Sequence, residues 1–152
     1  MVDVRSIPRS RTNPQFNGDG LAEALAPWQV GYEHLGGLGG LRSRSPGSPS
    51  SPNGYWKVKS FRNYADYALT PAFGKELAQL EDLGRRFRCA IICAEAAWWR
   101  CHRRIIADYL LASGQTVLNI LGPSHIDEAR LTPGAVISSP AKIVYPGAEG
   151  AV

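Results

Sequence analysis

A chain of 152 residues, 44% hydrophobic and 20% charged, is sized for one domain that builds its own core without disulfide staples. No apolar run reaches the roughly 20 residues of a membrane-spanning helix, and the N-terminus lacks the basic-then-apolar layout of a secretory leader, so no membrane partner is expected. Three cysteines, an odd number, argue against a secreted disulfide framework and for a reducing, cytoplasmic setting. The net charge of +4 comes with 13 arginines against 4 lysines. That excess fits anionic ligands, which suit the planar guanidinium fork, and fits a GC-rich codon bias equally well.

Met1 to Arg5 reads as the end of a buried strand running into polar residues. Ser6 to Gly18 is a loop rich in Arg, Ser, Asn and Pro. Asp19 is placed to cap a short helix over Leu21, Ala24, Leu25 and Trp28, which Pro27 would break. Val30 to Leu35 alternates as a short strand does. The run Gly36–Gly40 has neither the lysine nor the spacing of a phosphate or dinucleotide loop. Residues 41–54 are dense in Ser, Pro, Gly and Arg, the composition of a mobile loop.

Ser60 is a candidate cap for a helix with Phe61, Tyr64, Ala65, Ala68 and Leu69 on one face, and Thr70-Pro71 for a second burying Phe73, Leu77, Leu80, Leu83 and Phe87. Cys89 to Glu95 reads as a central strand, apolar on both faces. A helix over 101–113 would bury Ile105, Ile106, Tyr109 and Leu110 and stop at Gly114. A further strand is expected over 115–121, completing a βαβ unit. The expected organisation is a single domain over 1–140, with 141–152 a frayed tail. The fold class is α/β, a three-layer domain with a short, mainly parallel sheet.

Chemistry concentrates in Cys93-Ala94-Glu95 and in Trp98-Trp99-Arg100-Cys101-His102-Arg103. A thiol at a helix start, flanked by Arg100, Arg103 and Arg104, is stabilised as thiolate, so Cys101 is the candidate nucleophile. Against that stands a half-buried cysteine under a solvated basic face. A carboxylate directly after an apolar strand is costly to bury alone, so Glu95 is expected to meet an Arg or His, or to move protons. His102 is read as a side chain bonding Glu95 or a ligand, Trp99 as a stacking wall or a loop anchor. Cys89 and Cys93 are read as structural. No metal is assigned, and whether Cys93, Glu95, Cys101 and His102 hold one stays open. The Cys-x7-Cys-His spacing matches no strong zinc pattern, and neighbours on a helix point about 100° apart.

The first loop would bring Asp3, Arg5, Arg9 and Ser10 to the same sheet edge if the strands at 1–5 and 89–95 are parallel. The expected site then comprises Cys101, His102, Glu95 and Asp3 as catalytic groups, and Arg5, Arg9, Arg103, Ser10 and Trp99 as binders.

Several ordered pieces carry a resemblance: Val2-Asp3-Val4-Arg5 with Pro8-Arg9-Ser10, Asn13-Pro14-Gln15-Phe16, Tyr32-Glu33-His34-Leu35 with Leu38-Gly39-Gly40, Phe61 with Tyr64-Ala65, Cys93-Ala94-Glu95, and Cys101-His102-Arg103. With them the chain resembles the bacterial family catalogued as domain of unknown function 488, from residue 2 to about 133. Members of that family begin with a strand ending in Gly-His-Ser and a helix. Neither precedes Met1, so the sheet is expected to lack its first strand. The Val-Asp-Val-Arg strand and the cysteine loop are similar in layout to rhodanese sulfurtransferases, although Trp98-Trp99-Arg100-Cys101 does not reproduce their ring of amides. The resemblance implies an architecture and a site without a reaction. Two functions stay open, an enzyme acting on a nucleotide or nucleic-acid component and a non-catalytic nucleic-acid-binding module. Cofactor and oligomeric state stay undetermined.

Overall fold

The computed structural model describes residues 1–147. Its organising unit is a three-stranded parallel sheet in the order β2-β1-β3, made of β1 (Val2–Asp3), β2 (Glu33–His34) and β3 (Ile91–Ile92). Register places Val2 opposite Glu33 and Ile91, and Asp3 opposite His34 and Ile92. The fold is α/β, as expected. The central strand, however, is β1 and not the 89–95 segment. Val2 and Val4 are buried, while Ile91 and Ile92 at the edge are only partly covered.

The helices are α1 (Gly18–Leu25), α2 (Lys59–Tyr67), α3 (Pro71–Arg86) and α4 (Arg103–Ala112). Thr70 caps α3 by accepting from Phe73 N, with Pro71 in the first turn, as its sequence indicates. Phe73, Leu77 and Leu80 of that helix are buried, but Phe87 falls beyond its last turn and is 61% exposed. Helix α4 buries Ile105, Ile106, Tyr109 and Leu110, and Gly114 follows it at φ 80°. Two caps differ from expectation. Helix α2 starts ahead of Ser60, with Val58 at its N-cap and no side-chain bond. Asn17 precedes α1, which holds no buried residue, and Trp28 beyond it stands exposed.

Among the described residues, no βαβ unit forms after α4. The turn at Pro123–Ser124 folds β4 (Leu118–Gly122) back antiparallel on β5 (His125–Glu128), so that segment never reaches the sheet. A second hairpin pairs β6 (Val136–Ser139) with β7 (Lys142–Val144). Part of the expected tail is therefore core: Ile143 and Tyr145 are fully buried among the helices. Residues 148–152 lie outside the described residues. Within 41–54, Leu41 to Pro52 hold no helix or strand, but Asn53 is buried and fixes that end by accepting from Tyr145 N at 2.9 Å. Among the described residues, no helix is long and apolar enough to cross a membrane.

The C-terminal segment is tied to α4 by a buried carboxylate. Asp108 accepts from Thr132 N and from the Tyr145 hydroxyl, each at 2.8 Å, and burial pushes its carboxyl above the usual range. A raised carboxyl pKa means that stability is fully present below the unfolded value and declines as pH rises through the folded one. Asp108→Asn cannot ionise and keeps an acceptor and a donor. It is expected to match or exceed the wild type in urea midpoint at neutral pH. Asp108→Ala strands two buried donors and is expected to lose about 1–3 kcal/mol. Equal losses in the two variants would contradict this account.

Candidate functional site

The parallel sheet ends where β1 runs into Arg5 and β3 into Cys93, at the carboxyl edge where open α/β sheets place ligands. The ladder continues one step past β1, Val4 N donating to Ile92 O at 3.0 Å. By register, Cys93 stands level with Val4. The chain then forms the exposed loop Ala94–Ala96 and a 3-10 turn at Trp98–Arg100. Cys101 is extended, at φ −124° and ψ 147°. Helix α4 begins only at Arg103, so the helical stagger that would separate the side chains of residues 101 and 102 does not apply.

They converge instead. His102 Nδ1 lies 3.6 Å from Cys101 Sγ and 3.9 Å from Cys93 Sγ, and the three ligand atoms all fall within 4.8 Å of one another. His102 Nε2 meets the Val4 carbonyl at 3.2 Å. A carbonyl only accepts, so Nε2 donates to it and Nδ1 is the ring nitrogen that faces the sulfurs. Tyr64 covers the imidazole with ring centroids 4.9 Å apart and is held by its own hydroxyl bond to Leu38 O. Gly40 closes the other side; a Cβ there would lie 2.5 Å from Nδ1.

Arg103 Nε donates to Cys101 Sγ at 3.3 Å, and its Nη2 donates to the carbonyls of Glu95 and Ala96. The Cys101 thiol is lowered to about 6, chiefly by the neighbouring Cys93 thiol and then by the amide and side chain of Arg103, against the cost of burial. Cys93, itself partly buried beside that sulfur, is pushed up to about 12. Two cysteine sulfurs, an imidazole nitrogen and a guanidinium thus meet in one place.

Asp3 and Arg5 adjoin this cluster but face elsewhere. The Arg5 guanidinium clasps Asp3 through Nε at 2.9 Å and Nη2 at 2.5 Å, and Nη2 also donates to Phe16 O at 2.7 Å. Tyr32 donates to the same carboxylate at 2.7 Å. These bonds hold Asp3 below the usual carboxylate range despite its burial. The pair is a buried clasp joining β1 to the first loop, and both side chains bond within that clasp. Among the described residues no hydrogen bond links either side chain to Cys93, Cys101 or His102.

Other expected site residues separate from the cluster. The Glu95 side chain meets neither His nor Arg; it is exposed and accepts from Ala97 N at 3.3 Å, because only its backbone carbonyl turns toward Arg103. Ser10 is a turn former, accepting from Asn13 N. Arg9 is exposed, and Trp99 is 51% exposed beside Trp98, at the rim of the cysteine loop. Sequence reasoning preferred a structural role for Cys93 while leaving it open as a metal ligand, and missed the contributions of Gly40, Tyr64 and the Val4 carbonyl. The available signal was the parallel register, which sets Cys93 at the strand exit beside Val4. Two clefts, of about 620 and 470 Å³, lie under the 41–52 loop and between β2 and α3; neither is lined by the cluster.

Neither a curated protein nor a solved structure matches the chain. A family model described as Domain of unknown function DUF488 matches residues 1–110, and with nearly three-quarters of its length covered, including every residue of the cysteine–histidine cluster, the chain belongs to that family.

Proposed function

We propose that the protein is a cytoplasmic enzyme in which Cys101 attacks an electrophilic centre of an anionic substrate, a nucleotide or a nucleic-acid component. The observation that carries this reading is the Arg103 Nε contact with Cys101 Sγ at 3.3 Å, with the His102 Nδ1 nitrogen 3.6 Å from the same sulfur. Cys101 is the nucleophile, His102 Nδ1 moves a proton to the leaving group or from water, and Arg103 holds the anionic group. Trp99 at the rim offers a face for a base. Since Cys101 is 3% exposed, the substrate reaches it from the side of the exposed loop 94–96. Arg9 adds positive charge, and Asp3, Arg5 and Ser10 hold the scaffold. The three free cysteines fit a reducing compartment.

The test is a screen of metal-free protein against nucleoside mono- and triphosphates and a single-stranded oligonucleotide, with products and Cys101 adducts read by mass spectrometry. Turnover or an adduct is expected with at least one probe. Silence across the panel, with Cys101 alkylated no faster than Cys89, would overturn the enzymatic reading. The exposure of Trp99, Arg9 and Arg11 favours a second reading, a nucleic-acid-binding module. It predicts oligonucleotide affinity falling steeply with salt and unaltered in Cys101→Ser.

A further inference from the structure

We propose that Cys93, Cys101 and His102 form a three-ligand site for a soft divalent cation, zinc by preference, and that the bound ion masks the Cys101 thiolate. The geometry is close to what such an ion requires, the three ligand atoms lying within 4.8 Å of one another. Tetrahedral zinc with bonds of ~2.3 Å to sulfur and ~2.0 Å to nitrogen sets sulfur and nitrogen about 3.5 Å apart. The Nδ1–sulfur distances here are 3.6 and 3.9 Å.

Donor chemistry agrees with the geometry. Thiolate and imidazole select zinc over the hard cations that prefer oxygen. The Val4 carbonyl holds the His102 proton on Nε2, the outer contact that orients a ligating histidine and frees its other nitrogen. Arg103 Nε, donating to Cys101 Sγ, is a second outer contact on a ligand. The absence of a Cβ at Gly40 leaves Nδ1 clear. Coordination displaces the Cys93 proton to solvent. Two thiolates then balance the dication, and Arg103 beside them favours an anion or hydroxide in the open fourth position. An ion and a free nucleophile exclude one another on one molecule, so the masking half of the proposal rests on the enzymatic reading, while the binding half stands without it.

The test begins with chelator-stripped protein titrated with cobalt(II). One equivalent is expected to give sulfur-to-cobalt charge transfer in the near ultraviolet and the intense visible bands of a tetrahedral site, both erased by one equivalent of zinc. Cys89→Ser should titrate as the wild type does, and Cys93→Ser and Cys101→Ser should lose the charge-transfer band. Gly40→Ala, which crowds Nδ1 without removing a ligand, should bind about 10–100-fold more weakly. No thiolate absorption in the wild type, or the same absorption in Cys101→Ser, overturns the site. Iodoacetamide labelling of Cys101 with and without zinc then separates the two proposals. Cobalt binding with an inert metal-free thiol retains the ion and removes the nucleophile; a reactive thiol without cobalt binding does the reverse; a thiol that zinc fails to protect removes the mask.

Discussion

Asp3→Ala is expected to cost about 3–5 kcal/mol of folding stability, because it leaves the Arg5 guanidinium buried without its partner charge. Asp3 is 0% and Arg5 8% exposed, so water cannot replace the lost bonds. The loss is a large part of the roughly 5–15 kcal/mol that a domain commonly has. The Tyr32 hydroxyl and the Arg5 amide also lose their acceptor. Urea unfolding is the measurement, and a midpoint within ~0.5 kcal/mol of the wild type would mean the clasp is a solvated surface pair. The same clasp sets an acid limit. The Asp3 carboxyl is depressed in the folded state, so its contribution is present above the unfolded carboxylate value and is lost as pH falls through the folded one. Asp3→Asn should show a flatter stability profile across that acid range from a lower plateau at neutral pH, since the amide cannot ionise.

Local pattern carried as far as local physics reaches. The apolar spacing of α4 names Ile105, Ile106, Tyr109 and Leu110, and all four are buried; Thr70 caps α3 because its oxygen has a free amide three residues on. The strand expected over 115–121 forms, but its pairing is not set by local pattern. Leu118, Ile120 and Ile126 have the apolarity of a covered strand yet stand exposed on a hairpin, because the turn at Pro123–Ser124 pairs β4 with β5 and not with the sheet. At the site, one step of the sequence reading rested on a helix boundary. Separating Cys101 from His102 by helical stagger assumes that both lie in the helix, whereas α4 starts at Arg103 and Cys101 is extended. A boundary displaced by two residues reverses a conclusion about side-chain direction. The Val4–His102 contact, 98 positions apart in sequence, leaves no local trace at all. Glu95 shows the opposite error. Its cost of burial was reasoned correctly, but the loop bulges outward and the side chain is never buried.

Cys101→Ser is expected to lower turnover by on the order of 10⁴ or more, the scale on which removing a nucleophile acts in an enzyme whose groups work as a unit. A serine hydroxyl fits the same space, so the fold should persist; its pKa, however, lies far above that of a thiol, and neither Arg103 nor Cys93 brings it into the range where a thiolate forms. Cys93→Ser separates electrostatics from chemistry. It removes the neighbouring thiol that lowers Cys101 while leaving Arg103 Nε on the reacting sulfur, so activity should fall without vanishing. Cys89→Ser, which alters a half-buried cysteine packed against the core, should leave turnover unchanged. Under the zinc mask, chelated wild-type protein should turn over faster than zinc-loaded protein, since coordination engages the sulfur lone pair that would otherwise attack. If Cys101→Ser and Cys89→Ser turn over alike, the sulfur at position 101 has no part in the chemistry.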